Sequence, residues 1–328
     1  MSPRFSVLLP THNRADVIGY AIGSVLWQTE QDFELLVVGD GCTDDTADVV
    51  ASFADPRIRW FDLPKAPYFG YANRNIALKQ ARGELIGFVG HDDILLPDHL
   101  ALLAECLESE RAEWVYSRPL WVGTDGTLVP FAFNLTSPAD LDVFLRVGNC
   151  IPALCVLHRR SCFEAYGYWP EDVPEAADWR LWVRIIEGGG RTRLAYCRTP
   201  TGLHFKASWR QGRTGIHAAE IGVRIAEACG SWPAPLRLGI PAGVPEQRVF
   251  FEAIAAGGQD WLDTLRMASV DALDRLAWIA LLDVAQGLEQ AEKVQRLDRE
   301  LRALRASRSW RLTRPLRTLK GKIDKWLG

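Results

Sequence analysis

Over residues 5–89, short apolar runs alternate with segments of helical period, and this alternation limits the fold more than any other feature of the 328-residue chain. FSVLL (5–9), FELLVV (33–38), RIRWF (57–61) and ELIGFV (84–89) have the length and composition of buried strands. Between them, residues 15–28 place Val17, Ile18, Ala21, Ile22, Val25 and Leu26 on one helical face, and residues 73–81 form another helical stretch. Thr43, Asp44, Asp45 and Thr46 offer capping oxygens for an intervening helix. Strands alternating with helices predict an α/β fold with a doubly wound, mostly parallel sheet flanked by helices. Ligands of such sheets bind beyond the carboxyl ends of the strands. Residues 10–14, 39–45 and 90–93 therefore become the places to look for chemistry.

The pattern changes further along. Residues 114–122 and 126–133 read as sheet, 138–147 as a short helix, and 178–187 as an amphipathic helix. Beyond about residue 215 the chain reads as helical, with Val294, Leu297, Leu301 and Leu304 spaced by three, four and three. The expected organisation is a domain over 1–215, divided near 111/112 into two contiguous halves, followed by a helical extension over 216–328. At 48% hydrophobic and 24% charged, the composition is that of globular material. Seven scattered cysteines without a CxxC pair point away from zinc and disulfides and toward a reducing cytoplasm. The apolar run after the N-terminus is too short for a signal-peptide core or a span.

A net charge of −3 conceals a basic tail, +7 over residues 286–328, on a body of −10. In that tail Arg308, Arg311, Arg314, Lys320 and Lys322 stand beside Trp310, Leu316, Ile323 and Trp326. Two readings stay open for it. One is a peripheral seat on the inner face of the cell membrane; the other is packing on the acidic body or on a partner subunit, which would make an oligomer. A nucleic-acid partner is not expected. The chain has no GxGxxG after its first strand and no GxxxxGK[ST], which argues against nicotinamide enzymes and P-loop proteins.

Three acidic clusters carry the chemistry. Asp40 follows a strand between Gly39 and Gly41, where a carboxylate can accept a hydrogen bond from a base imide N–H; an Asx turn is the alternative, and it suits Asp44 and Asp45 better. His91-Asp92-Asp93 leaves the fourth strand, and adjacent carboxylates repel unless a cation lies between them. Oxygen ligands of this kind suit Mg²⁺ or Mn²⁺, which complete their shells with phosphate and water. Asp178 opens a helix, as an N-cap or as a group aimed into a cleft. Arg74 can neutralise phosphate or pair with a surface acid. Residues 201–213 gather His204, Lys206, Arg210 and Arg213 in what reads as a loop closing over a diphosphate, with His204 a metal or phosphate contact.

PTHNR, VVGDGCTDDT, RNIALKQARGELIGFVGHDD and ADWRLWVR, in this order, resemble the motifs of family 2 inverting glycosyltransferases of the GT-A fold over residues 3–215. The resemblance implies that Thr11, Asn13 and Asp40 hold the nucleobase and ribose and that Arg74 lies near base or phosphates. It also implies that Asp92 and Asp93 bind the metal and that Asp178 deprotonates the acceptor hydroxyl. Gly39, Gly90 and Ala177 stand where the family often has acids. The implied donor is a nucleoside-diphosphate sugar of uridine or thymidine type, and the implied acceptor is a saccharide or lipid-linked saccharide of bacterial polysaccharide assembly. A catalytically idle nucleotide-sugar binder or scaffold of the same fold is the alternative.

Overall fold

The computed structural model describes residues 2–189, 193–206 and 232–306. Four parallel strands form its first half: β1 (Phe5–Thr11), β2 (Phe33–Asp40), β3 (Ile58–Leu63) and β4 (Leu85–Phe88). β1 lies between β2 and β4, with Phe5 opposite both Phe33 and Leu85, and β3 flanks β2. Every residue of β2 is buried, Glu34 included, which accounts for the apolar run Leu35–Val38. The crossovers are α1 (Ile18–Leu26), α2 (Thr46–Ser52) and α3 (Tyr71–Leu78). α1 begins three residues later than its periodicity suggests, because Arg14–Val17 forms a turn whose Arg14 carbonyl accepts the N–H groups of Val17 and Ile18.

The second half joins the same sheet through reversals. Beyond β4 the order runs β8 (Val156–Arg159), β6 (Trp114–Val122), β9 (Leu194–Phe205) and β5 (Ile94–Leu95), while β7 (Leu128–Pro130) hangs on β6. β8 is antiparallel to β4 and β6, and β9 is parallel to β6. Helices α4 (His99–Ser109), α5 (Pro138–Arg146), α6 (Ser161–Tyr166) and α7 (Ala177–Gly189) complete this half. Trp114 and Trp182, both fully buried, join the second half to the apolar core under β1 and β4.

One expectation changes. Residues 201–205 are not loop but the end of β9, where Leu203 pairs Ile94 of β5; His204 alternates with the buried Leu203 and Phe205, a strand pattern hidden by the flanking glycines and cations. The compact unit that contains the sheet runs to Leu273. Helix α8 (Glu246–Ala306), broken at Gly258, lays its first part on this unit: Phe251 stacks on Trp27 at 4.5 Å and Phe250 meets Phe205 edge-on. Residues 274–328 form a second unit, in which α8 exposes Trp278, Leu288 and Leu297. Arg210, Arg213 and the basic tail beyond residue 306 lie outside the described residues.

Candidate active site

The carboxyl ends of β1, β2 and β4, together with the start of α7 and the end of β9, surround a cavity of about 820 Å³. Thr11, Asp40, Arg74, Asp92, Asp93, Asp178, His204 and Lys206 all line it, although up to 195 residues separate them in the chain. Asn13 does not. Its side chain instead accepts the Thr43 N–H at 2.8 Å and donates to Thr43 Oγ1, tying the loop after β1 to the loop after β2. Asp44 does similar work in an Asx turn just before α2, taking the Ala15 N–H and the Thr46 N–H and hydroxyl, while Asp45 occupies the N-cap position without a side-chain cap bond.

Asp40, at the end of β2, is buried and held on both oxygens. Oδ1 accepts the Ala66 N–H at 2.8 Å and Asn73 Nδ2 at 2.7 Å, and Oδ2 pairs with Lys65. Gly70 makes this possible: its φ of +71° suits glycine, and a Cβ there would fall 2.6 Å from the Asp40 carboxylate. Lys65, Gly70 and Asn73 were not singled out in the sequence. Asn73 sits beside Arg74 in an Asn-Arg-Asn run, which is a signal of sorts, but nothing in the sequence marks Lys65.

Arg74, one position further along α3, lies against a stacked pair of aromatic rings, 5.1 Å from Tyr71 and 4.9 Å from Trp169, whose own centres are 5.9 Å apart. Its guanidinium donates to the Phe69 carbonyl at 3.2 Å. Burial lowers its pKa, against the opposing pull of Tyr71, Asp178 and Asp40, yet an arginine remains charged at neutral pH. Asn75 fixes Trp169 in this cluster: it donates to the Trp169 carbonyl and accepts the Trp169 N–H.

Asp92 and Asp93 are 1% and 4% exposed, two buried acids in sequence. Asp93 Oδ1 accepts His204 Nδ1–H at 2.9 Å and the Phe205 N–H at 3.2 Å, so β9 fixes the carboxylate. Because His204 gives its Nδ1 proton to a carboxylate, the neutral ring keeps a lone pair on Nε2. The Trp121 ring stands edge-on to this imidazole at 4.6 Å. Asp93 Oδ2 and Asp92 Oδ1 lie 2.6 and 3.0 Å from the point that a Cβ on Gly90 would occupy. A glycine at 90 thus keeps clear the space on which both carboxylates converge. Two carboxylate oxygens with an imidazole nearby fit a hard divalent cation that draws its remaining ligands from phosphate and water. Among the described residues no group of three or more His, Cys, Asp or Glu forms a ready metal cage.

Asp178 faces the same cavity from the first turn of α7. Oδ1 accepts its neighbour's N–H, from Trp179, at 2.7 Å, and Oδ2 accepts Asn149 Nδ2 at 2.9 Å. Burial raises the carboxyl above its ordinary range, and the Trp179 N–H and Arg74 charge offset this only in part. The side chain is half-buried in the cavity wall. A carboxylate made more basic by its surroundings is suited to accept a proton.

The sequence profile of Glycosyl transferase family 2 matches residues 6–163. A Mycobacterium bovis PGL/p-HBAD biosynthesis glycosyltransferase is 32% identical over 191 residues, covering 56% of this chain and 70% of that protein. An Escherichia coli UDP-Glc:alpha-D-GlcNAc-diphosphoundecaprenol beta-1,3-glucosyltransferase is 27% identical over 183 residues, covering 56% of this chain and 69% of that one. Several other curated relatives are longer, and the chain spans only 14–30% of their length. Among solved structures, S. aureus TarS residues 1–349 superposes with a TM-score of 0.52 at 22% identity over 62% of this chain and 60% of that one, a likeness of fold. On the strength of these matches, and of a GT-A-like sheet ending in clustered acids, the chain belongs to glycosyl transferase family 2.

Proposed function

We propose that this chain is a metal-dependent inverting glycosyltransferase that moves a sugar from a nucleoside-diphosphate sugar to the hydroxyl of a saccharide or lipid-linked saccharide. The observation that carries the reading is the convergence on one cavity of a buried carboxylate pair, Asp92 and Asp93, and a carboxylate of raised pKa, Asp178. Asp40, with Thr11 beside it, is the group for the base imide, which uracil and thymine share. Arg74 and Lys206 meet the phosphates.

The acceptor hydroxyl attacks the anomeric carbon as the bond to the diphosphate breaks, and a single displacement inverts the configuration. Asp178 takes the hydroxyl proton as that bond forms, which is worth about 10²- to 10⁴-fold in rate. Asn149 and the Trp179 N–H hold the carboxylate for this transfer. Asp92 and Asp93, with Asp93 fixed by His204, would hold Mn²⁺ or Mg²⁺, which stabilises charge on the departing diphosphate by several kcal/mol. Arg74, held against the Tyr71 and Trp169 rings, adds a fixed positive charge on the same side.

The lipid-linked acceptor is supported by the E. coli relative, whose name gives a diphosphoundecaprenol-linked substrate and a UDP-glucose donor. No helix among the described residues is long and apolar enough to cross a membrane. A peripheral seat through the basic tail would meet such an acceptor, with about 1 kcal/mol contributed by each Lys or Arg near an anionic leaflet. Co-sedimentation with anionic vesicles at low and high salt, comparing the full chain with one ending at Arg305, tests the tail. Equal partitioning of the two would remove it from the reading.

The main test is turnover of a panel of UDP- and TDP-sugars, with Mn²⁺ and with Mg²⁺, using lipid-diphosphate saccharides as acceptors. Transfer with inverted anomeric configuration is expected. Nucleotide-sugar binding with no transfer or hydrolysis across the panel would favour the idle binder instead.

A further inference from the structure

The first part of α8 touches the loop of the acid pair from behind, at both of its ends. Gln247, fully buried, donates its Nε2–H to the main-chain carbonyl of Asp92 at 3.2 Å, across 155 residues of sequence. Arg266, on the far side of the break at Gly258, forks onto both oxygens of Asp98 at 2.8 Å each, and it also reaches the Pro200 carbonyl. Between these points Phe250 meets Phe205 edge-on with ring centres 5.5 Å apart, and it is the Phe205 N–H that donates to Asp93 Oδ1. One helix therefore braces residue 92, residue 98 and the strand that fixes residue 93.

Resting on the metal-dependent reading above, we propose that Gln247 is a positioning residue for the cation. It acts through the Asp92 main chain, and Arg266 anchors the other end of the same loop. A carbonyl in a buried loop needs a donor, and the side-chain amide supplies one from a rigid element rather than from the loop itself. Asp92 can then present Oδ1 toward the space that Gly90 keeps clear without its backbone turning to find another partner. Arg266 is suited to the opposite end because its planar fork fixes two carboxylate oxygens and a carbonyl at once, which a lysine cannot do. The helical region beyond residue 245 thus forms part of the site.

Gln247→Met and Gln247→Glu test this. Both keep the side-chain length; methionine has no donor, and an ionised glutamate cannot donate to a carbonyl. Mn²⁺ binding is read by the electron-paramagnetic signal of free Mn²⁺ at saturating UDP, UDP binding without metal by calorimetry, and folding by melting temperature. The expected result in both variants is a Kd for Mn²⁺ about tenfold higher, with UDP binding in the absence of metal changed less than twofold. Arg266→Lys should show the same pattern more weakly. Unchanged Mn²⁺ affinity in both Gln247 variants overturns the proposal. So does an equal weakening of UDP binding with and without metal alongside a large fall in melting temperature, which would make Gln247 merely structural. If the unsubstituted chain binds UDP but no Mn²⁺, the metal-dependent reading itself fails, and the positioning role falls with it.

Discussion

Two carboxylates from opposite halves of the molecule show how one residue type is put to different ends. Glu34, in β2, is 1% exposed and accepts from Ser6 Oγ, the Arg82 N–H, and the guanidinium groups of Arg59 and Arg82. Burial alone would push its pKa up, but this set of donors overcomes the penalty and leaves it lowered. Asp178, in α7, has two neutral donors and a more distant arginine, and burial wins. The first acid is satisfied and structural. The second is incompletely compensated, which is the condition for a group that must take up a proton and release it again.

The largest effect that would break this contrast is on catalysis. Asp178→Asn is expected to lower transfer by about a hundredfold or more while donor binding stays nearly intact, as loss of a general base requires. Single-turnover transfer beside calorimetric titration of UDP separates the two; normal transfer would make Asp178 as structural as Glu34.

Glu34→Gln should instead cost stability, by about 3 kcal/mol, since Arg59 and Arg82 lose the buried charge they converge on. Because the folded pKa of Glu34 is lowered, its contribution is present above the unfolded value near 4.5 and is lost as pH falls through the folded value. Urea unfolding of the native chain and the variant should therefore differ most near neutrality and converge in acid. A difference independent of pH would mean that the charge is not the stabilising element.

The acid pair carries a smaller effect. Asp92→Ala and Asp93→Ala should each weaken metal-dependent nucleotide binding by about tenfold, as expected when an inner-sphere or orienting oxygen is lost. Binding without metal should change little. Titrating UDP with and without Mn²⁺ checks this, and an unaltered metal dependence in both variants would remove the cation from residues 92 and 93.

The halves also differ in how far they could be read from sequence. In residues 5–93, β1, β2 and β4 are buried and largely apolar, β3 is a half-buried edge strand that keeps Ile58, Trp60, Phe61 and Leu63, and the crossovers have helical period, so β1 to β4 and the acids at their ends were legible. That Asp40, Asp92 and Asp93 would face one cavity follows from where parallel strands end. In the second half, β8 is four residues long and β5 only two, and both are defined by their partners rather than by their own pattern. The close approach of His204 to Asp93 depends on β9 pairing with β5, which no local signal announces. Asn13 misled for a related reason: it stands in a motif beside true cavity residues, but its φ of +51° and its bonds to Thr43 turn the side chain toward the neighbouring loop. Gln247 was out of reach altogether, since a buried glutamine looks like any polar residue at a helix start until the loop it holds is seen.

The smallest effect sharpens the comparison most directly, because it asks Asp178 for the opposite sign to Glu34 on the same axis. A carboxyl whose folded pKa is raised binds more protons in the folded than in the unfolded state between the unfolded value, near 3.8, and the higher folded value. Stability of the native chain must then fall as pH rises through that window. Asparagine cannot ionise, so Asp178→Asn should gain on the native chain across the window and hold a constant offset above it. The offset itself carries no fixed sign, because an amide at 178 sets its own donors against Asn149 Nδ2, and Asn149 Oδ1 is already committed to the Ile151 N–H. The slope does not depend on that clash. A shift of about 2–4 °C in the difference between the two melting temperatures, for each kcal/mol involved, lies within the reach of calorimetry at closely spaced pH values. A difference that falls with rising pH would give Asp178 the lowered pKa of a satisfied acid, and the distinction between the two carboxylates would be gone.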